Sequence, residues 1–178
     1  MAWGGFTSAE LEWQYNPRET VPDFMTHFER FVKLSDETRA QYGGKLDVRY
    51  GKGPKETMDV FMASDPGAPV HVFFHGGYWR MMDKSDHSHV ASDIVQDGVT
   101  HISLNYDLCP EVTLDDIVDE IRNAVVYIYR HASELGIDPN RIFLSGHSAG
   151  GHLTGMMLRE DWVSHGLPAD VLKGAVPL

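Results

Sequence analysis

The chain has 178 residues, with 26 Asp or Glu against 15 Lys or Arg, so its net charge at pH 7 is −11. This length predicts one domain, spanning residues 1–178, in which about 70% of the unfolded surface is buried by folding. The acidic excess argues against nucleic acid or an anionic membrane as partner, because both repel a negative surface.

Cysteine content and the N-terminal residues predict the compartment. Cys109 is the single cysteine and cannot form an internal disulfide, and residues 1–5 lack the basic and apolar regions of a signal peptide. The sequence has no uncharged apolar run of about 18 residues, the length needed to cross a bilayer. We therefore expect a cytoplasmic protein.

The N-terminal third predicts two helices. A short one lies around Ser8 to Trp13, and a longer one follows Pro22 and stops before Gly43. The longer helix carries an apolar stripe, interpreted as packing surface, at Phe24, Phe28, Phe31, Val32 and Leu34.

Strand-length apolar runs then alternate with helical segments. The runs are Leu46–Tyr50, Met58–Met62, Val70–Phe74, Ile102–Leu104 and Ile142–Leu144, with another run starting at Ala175. The longest helix, from Leu114 to Ile128, opens on acidic residues that complement its dipole, namely Asp115, Asp116, Asp119 and Glu120. The pattern predicts an α/β fold, a mostly parallel sheet with helices on both faces and two antiparallel strands at its start. Active sites of such sheets lie at the carboxyl ends of the strands.

Two glycine-rich motifs follow predicted strands. Gly146-His147-Ser148-Ala149-Gly150 is a G-x-S-x-G motif between strand and helix, where a tight turn exposes a serine hydroxyl near free amide groups. His75-Gly76-Gly77 follows the earlier strand, and its glycines let the backbone direct N–H groups toward a developing oxyanion. Together the motifs predict nucleophilic acyl-transfer chemistry at Ser148.

The whole chain resembles the α/β-hydrolases of the kynurenine formamidase (arylformamidase) and esterase group. The resemblance rests on these two motifs and on further segments: Tyr15-Asn16-Pro17-Arg18, Arg49-Tyr50-Gly51, His75-Gly76-Gly77-Tyr78-Trp79-Arg80, Asp83-Lys84-Ser85, Asn105-Tyr106 and Pro110-Glu111. It implies an α/β-hydrolase fold and a serine hydrolase that cleaves a small acyl group, such as the formyl group of an aryl formamide. A short-chain carboxylesterase is the alternative with the same chemistry.

The resemblance also implies roles for individual residues. Ser148 is the expected nucleophile, and an oxyanion hole is expected from Gly76, Gly77, Tyr78 and Ala149. Tyr78 and Trp79 are expected to offer an aromatic wall to the substrate. No metal and no organic cofactor is expected, and the expected partners are a small-molecule acyl substrate and, in the case of a homo-oligomer, a second copy of the chain.

The sequence departs from the family pattern in two places. Asp107 stands where related esterases have Arg, which bears on the shape of the substrate pocket. The triad order Ser, acid, His places the base after later strands, so we expect a fragment that lacks the C-terminal strands and has its acid and base beyond Leu178. An inactive chain that acts by binding is the alternative from another class.

The remaining histidines and the cysteine are mostly interpreted as structural residues. His152 is expected to pack under the serine turn, and Asp161 with His165 is the minor candidate for the relay. His87 and His89 are interpreted as part of a solvated face rather than a metal pair. Cys109 is interpreted as a small packed side chain.

Overall fold

The computed structural model describes residues 3–178, except for the side chains of residues 17 and 19. Its strands are β1 (Lys45–Arg49), β2 (Thr57–Phe61), β3 (Ala68–Phe74), β4 (Thr100–Leu104), β5 (Ile137–Gly146) and β6 (Leu172–Pro177). Its helices are α1 (Ser8–Tyr15), α2 (Pro17–Thr20), α3 (Phe24–Tyr42), α4 (Ala91–Gln96), α5 (Leu114–Arg130), α6 (Ala132–Leu135) and α7 (Ala149–Leu158), with 3₁₀ helices at Lys84–Val90 and Trp162–His165.

The six strands form one sheet in the order β1-β2-β4-β3-β5-β6. β2 pairs antiparallel with both β1 and β4, whereas β3 is parallel to β4 and to β5, and β5 is parallel to β6. This topology confirms the predicted mostly parallel sheet with antiparallel strands at its start. β5 is longer than the predicted run because residues 137–141 continue it toward the amino end.

One face of the sheet is aliphatic and carries the main core. Alternate residues of β3, Val70, Val72 and Phe74, are fully buried in the same cluster as Ile117 and Ile121 of α5. Leu153 of α7 belongs to the same cluster. Burial of these side chains is the principal favourable contribution to folding on this side.

The opposite face of the sheet holds a row of polar side chains. His71 Nδ1 lies 3.0 Å from His101 Nδ1, and His71 Nε2 lies 2.7 Å from Ser145 Oγ. His101 Nε2 in turn contacts Ser103 Oγ at 3.0 Å. Burial lowers the pKa of His71 to about 4, so the ring is neutral at physiological pH.

Buried ion pairs fasten the 3₁₀ helix Lys84–Val90 to the sheet and to α3. Asp59 of β2 is fully buried and pairs with Arg39 of α3 and with Lys84, whose Nζ lies 3.0 Å from Asp59 Oδ1. Lys84 also pairs with Asp47 at 2.7 Å. Removing one partner would leave a buried charge uncompensated, so these contacts fix where the helix lies.

The strand register brings the carboxyl ends of four strands to one edge. Phe74, the last residue of β3, pairs with Leu104 of β4 and with Gly146 of β5, and Gly146 pairs with Pro177 of β6. The residues that follow these strands, which include both predicted motifs, are therefore neighbours.

The acidic residues at the start of α5 were all expected to complement the helix dipole, and the structure shows a different role for one of them. Thr113 and Asp116 form a capping box, in line with dipole complementation. Glu120, one turn further, instead faces inward, where its Oε2 accepts the N–H of Asp107 at 2.9 Å. Burial, together with the nearby negative charges of Asp107 and Glu56, raises the pKa of Glu120 to about 7.

We predict that Glu120→Gln raises the melting temperature at pH 8 by a few degrees and changes it little at pH 4.5. At pH 4.5 the folded wild type is protonated and the unfolded chain is only half ionised, and Gln is nearly isosteric with the protonated side chain. Between about pH 4.5 and 7 the unfolded chain ionises while the folded side chain stays protonated beside two other carboxylates, so the wild type loses stability over this range, and Gln avoids the loss. Thermal unfolding across pH 4.5–8 measures the effect, with the exposed Glu134→Gln as control. A difference that does not vary with pH would contradict the prediction.

Candidate active site

Ser148 stands in the turn between β5 and α7, at the edge where the strands end. Its backbone has φ 57° and ψ −115°, a conformation that residues other than glycine adopt only when the surroundings enforce it. The side chain is exposed. The strained turn therefore presents the hydroxyl outward from the end of the sheet.

Glycines on either side of Ser148 allow the close approach that the turn needs. A Cβ on Gly146 would collide with the carbonyl of Gly150, and a Cβ on Gly150 would collide with the carbonyl of Phe74. The turn is thus packed backbone to backbone against the end of β3. Only residues without side chains fit at these two positions.

The end of β6 also holds the turn. The amide of Ser148 donates to the carbonyl of Leu178 at 2.8 Å, and the amide of Leu178 donates to the carbonyl of Gly146 at 2.9 Å. On the helix side, the amide of His152 donates to the carbonyl of Ser148 at 3.1 Å. The backbone on both sides of the serine is therefore fixed.

The loop after β3 lies against this turn. A Cβ on Gly76 would come within 3.3 Å of Ser148 Cβ, so the two segments are in contact. Gly77 has φ +110°, and its carbonyl accepts from the amides of Arg80 at 3.0 Å and Met81 at 3.1 Å. This closes the loop into a tight turn beside the serine.

Three amide groups near Ser148 are available to a ligand. The backbone N–H groups of Gly77, Tyr78 and Ala149 have no hydrogen-bond acceptor within residues 3–178. Ala149 is the first residue of α7, where the helix dipole adds positive potential. Free amides beside an exposed serine are the arrangement that stabilises an oxyanion.

A buried polar network orients the first residue of the loop. His75 is fully buried, and its Nδ1 lies 2.8 Å from the Gly76 carbonyl while its Nε2 lies 3.0 Å from Asn105 Oδ1. Asn105 donates to Asp83 at 2.7 Å, and Lys55 Nζ donates to the same carboxylate at 2.9 Å. Although burial opposes ionisation, these hydrogen bonds hold the pKa of Asp83 well below its usual range.

Tyrosines hold the same segment from two sides. The Tyr106 hydroxyl donates to the His75 carbonyl at 2.7 Å, and the two rings stack with centroids 4.3 Å apart. The Tyr50 hydroxyl donates to the Asn105 carbonyl at 2.7 Å.

Sequence reasoning assigned Asn105 and Asp83 no role. The signal that could have found Asn105 is a polar residue directly after β4, the strand beside β3.

A cavity of about 760 Å³ opens above Ser148. Ser148, His147, Gly77 and Tyr78 line the side formed by the sheet loops. This volume is within the ordinary range of small-molecule sites.

The N-terminal helices form another wall of the cavity. Phe24, Phe28 and Phe31 of α3 and Tyr15 of α1 are lining residues. The interpretation of the α3 stripe as packing surface is therefore wrong for these phenylalanines. The buried residues of α3 lie in its C-terminal half, so its N-terminal half is left to face the cavity.

A hydrogen bond ties this wall to the loop after β3. The Tyr78 hydroxyl donates to the carbonyl of Tyr15 at 2.6 Å. Tyr78 is about half exposed and lines the cavity, where it was expected to contact substrate.

Trp79 lies elsewhere than expected. It is partly buried against the main core, and it is not among the residues that line the cavity. Its ring meets His152 edge-on with centroids 5.2 Å apart. This placement does not support Trp79 as a substrate wall, and it leaves His152 exposed on α7 rather than packed under the serine turn.

The interpretation of His87 and His89 as a solvated face is wrong, because the 3₁₀ helix that carries them packs against the sheet. The His87 ring lies 5.8 Å from that of Phe73, and His87 also lines the cavity. Burial lowers its pKa to about 4. His89 stacks on Phe31 at 5.1 Å.

None of the histidines in the described part of the chain forms a hydrogen bond with Ser148 Oγ. His165 Nε2 instead contacts Glu160 at 3.1 Å, and its carbonyl accepts from Arg130. Glu160 and His165 follow the C-terminal end of α7, whereas Ser148 precedes its N-terminal end. Asp161 and His165 therefore do not form a relay with Ser148.

Asp107 lies outside the cavity lining. It is buried, and its Oδ1 accepts the N–H of Lys55 at 2.7 Å. The departure from the family pattern at this position thus supports a neighbouring loop rather than shaping the pocket.

Between residues 3 and 178, no three His, Cys, Asp or Glu side chains are grouped so that they could hold a metal ion. No helix in that range is both long and apolar enough to cross a membrane.

The fold and the serine turn define the class of protein, since the sheet order, the helices on both faces and the turn after β5 are those of an α/β-hydrolase. A family model named BD-FAE matches residues 58–161, more than half of the chain. The chain belongs to the BD-FAE family.

Known proteins resemble the chain along most of its length. The kynurenine formamidase of Danio rerio is 30% identical over 181 residues, which cover 97% of this chain and 60% of that protein. A solved structure from Silicibacter sp. TM1040, described as a candidate thioesterase, has 32% identity and a TM-score of 0.80 over 94% of this chain and 62% of its own. A thermophilic esterase of Thermogutta terrifontis has 27% identity and a TM-score of 0.57 over 62% of this chain and 42% of its own. The chain spans about 60% of the length of the Danio rerio relative.

We predict that Gly77→Ala slows labelling of Ser148 by a fluorophosphonate about a hundredfold, measured on the full-length protein. An added Cβ would collide with the carbonyl of Met81, and φ +110° is strained for alanine, so the loop would move its amides away from the serine. Gly67→Ala is the matched control, because Gly67 also has positive φ but an added Cβ meets nothing within 4 Å. Equal slowing in both variants would show a general loss of stability instead.

Proposed function

We propose that the protein is a serine hydrolase that removes the formyl group from an aryl formamide, with Ser148 as nucleophile. The observation that carries the proposal is the strained Ser148 turn, which opens into the cavity beside three amides that have no acceptor among the described residues. The similarity to kynurenine formamidases supports the substrate class.

The proposed reaction follows from this geometry. Ser148 Oγ attacks the formyl carbon as its proton passes to a base, and the amides of Gly77, Tyr78 and Ala149 hold the oxyanion. Gly76 shapes the loop that presents them. The base then gives the proton to the departing aryl nitrogen, which leaves Ser148 as a formyl ester. Water, activated by the same base, releases formate and restores the serine.

The base and its acidic partner lie outside residues 3–178 in this proposal. No histidine of the described chain contacts the serine hydroxyl, and the curated relatives are longer than the chain. Without a base the serine retains the reactivity of an ordinary alcohol. Each oxyanion donor contributes about 3–4 kcal/mol to transition-state stabilisation, so the amides alone leave most of the rate unrealised.

The cavity favours a small acyl group on a large leaving group. Gly76 and the serine turn are in contact, which leaves little space on that side, whereas the aromatic wall of α3 borders the rest of the 760 Å³. Flat rings pack well against such a wall.

A short-chain carboxylesterase remains the second candidate. Acyl transfer from esters uses the same nucleophile and oxyanion donors. The Thermogutta terrifontis esterase, 28% identical, has been solved with butyrate bound, which supports this alternative. Rates on N-formylkynurenine and p-nitrophenyl acetate, compared on the full-length protein, separate the two.

We also propose a cytoplasmic location. The single cysteine Cys109 is unpaired within the chain and partly buried, as in proteins of reducing compartments. Cell fractionation with an antibody to the protein tests the location.

We predict that Ser148→Ala abolishes both hydrolysis and fluorophosphonate labelling of the full-length protein without changing its melting temperature appreciably. The hydroxyl is exposed and bonds to no side chain in residues 3–178, so its loss removes chemistry but no packing. Ser164→Ala, at another exposed serine, should retain full labelling. Labelling that persists in Ser148→Ala would remove the assignment. Intact folding with no labelling of the wild type would favour the inactive, binding alternative.

A further inference from the structure

Three successive residues after β3 have backbone conformations in the left-handed region. The φ angle is 110° at Gly77, 54° at Tyr78 and 56° at Trp79. Glycine adopts such values readily, whereas bulky aromatic residues do so rarely and only where their surroundings enforce it. The amides of Gly77 and Tyr78 are two of the three proposed oxyanion donors. The strained backbone is therefore the part of the loop that the proposed reaction uses.

The Trp79 side chain restrains the inner end of this strained run. It is partly buried against the main core, and its carbonyl accepts from the amide of Cys109 at 2.8 Å. The indole Nε1 is buried and has no hydrogen-bond partner in the described part of the chain. The ring is thus held by its apolar and aromatic contacts and not by its N–H group.

The Trp79 ring also contacts the helix that follows the serine turn. It meets the His152 ring edge-on with centroids 5.2 Å apart. The amide of His152 donates to the carbonyl of Ser148, so His152 lies in the first turn of α7. Ala149, whose amide is the third proposed donor, belongs to the same turn. Trp79 therefore connects the loop that carries two donors to the helix that carries the third.

Tyr78 is restrained from the other side of the loop. Its hydroxyl donates to the carbonyl of Tyr15 in α1, while the neighbouring Trp79 points into the core. The Tyr78 side chain is about half exposed, so water competes for this hydrogen bond and its net contribution is small. The partly buried ring of Trp79 is the stronger of the two restraints.

We propose that Trp79 is a positioning residue of the oxyanion hole, which acts through the backbone that it shares with Tyr78. Without the indole ring the strained run relaxes, and the amides of Gly77 and Tyr78 turn away from Ser148. The inference rests on the proposed function, because it concerns the same oxyanion donors. Since such donors act chiefly in the transition state, their displacement lowers kcat rather than raising KM.

The test replaces Trp79 by leucine and by phenylalanine in the full-length protein. Trp79→Leu should slow fluorophosphonate labelling of Ser148 and lower kcat for p-nitrophenyl acetate about tenfold or more, with little change in KM. Trp79→Phe keeps an aromatic ring and should restore part of both rates. Trp162→Leu is the matched control, because Trp162 is buried in the same core but follows the opposite end of α7. It should lower the melting temperature without slowing the labelling.

A role of Trp79 in stability alone would give a different result. Fewer molecules would then be folded and labelled, but the labelling rate constant of the folded molecules would equal that of the wild type. That outcome overturns the proposal, and so does equal slowing in Trp162→Leu.

A second variant tests the contact between the loop and α7. His152→Ala removes the partner of the indole ring at an exposed position, so the protein should fold. It should slow labelling severalfold in the wild type and have no further effect in Trp79→Leu, because the contact is already lost there. Trp79→Phe takes the place of Trp79→Leu if the latter does not fold, and the effect of His152→Ala should then be reduced. Independent, additive effects would contradict the proposed coupling.

Hydrogen exchange separates this inference from the proposed function. The amides of Arg80 and Met81 both donate to the Gly77 carbonyl, so their exchange reports whether the turn stays closed. In Trp79→Leu the peptide that spans residues 75–82 should exchange faster than in the wild type and in Trp162→Leu. Unchanged exchange overturns the role of Trp79, whatever the protein hydrolyses. Faster exchange together with a wild-type serine that no fluorophosphonate labels supports that role and refutes the hydrolase assignment alone.

Discussion

The site depends on backbone-to-backbone contact between the ends of β3 and β5. Gly150 lies so close to the carbonyl of Phe74 that no side chain fits, and Gly146 is equally confined by Gly150. This contact holds Ser148 in a conformation that a free chain would leave. The same contact places the loop after β3 within reach of the serine. The strained backbone of the Ser148 turn and the position of the free amides in the loop after β3 therefore both depend on this one contact.

The polar face of the sheet extends this rigidity to the loop after β3. Asn105 connects His75 to Asp83, and Asp83 is the N-cap of the 3₁₀ helix whose Lys84 is paired with the buried Asp59. A displacement of the 3₁₀ helix would therefore be transmitted to the His75 ring and to the Gly76 carbonyl that it contacts. Buried hydrogen-bond networks of this kind favour one arrangement, because a buried polar group without a hydrogen-bond partner destabilises the fold.

Features with a local signal could be predicted from the sequence. Runs of alternating or apolar residues located the strands, and the two glycine motifs located the loops that meet at the sheet edge, since their spacing reflects local backbone geometry. Features that depend on distant partners could not. The inward turn of Glu120 depends on Asp107, and the burial of His87 depends on Phe73, residues brought close only by the folded sheet. The α3 phenylalanines have the periodicity of a core stripe, and nothing in that periodicity distinguishes a packed neighbour from an open cavity.

The two walls of the cavity differ in how firmly packing and polar contacts hold them. The wall that holds Ser148 is fixed by glycine contacts, buried rings and ion pairs, as Gly150, His75 and Asp83 illustrate. In the other wall, α1 and α2 are joined to it through Tyr78 to Tyr15 and Arg18 to Met81. α3 is anchored more firmly, because Arg39 near its end pairs with the buried Asp59. Loosely packed elements open at lower free energy than the core. In the proposed reaction, the rigid wall thus sets the chemistry at Ser148, whereas the leaving group lies against a wall whose side chains can be exchanged without disturbing the serine turn.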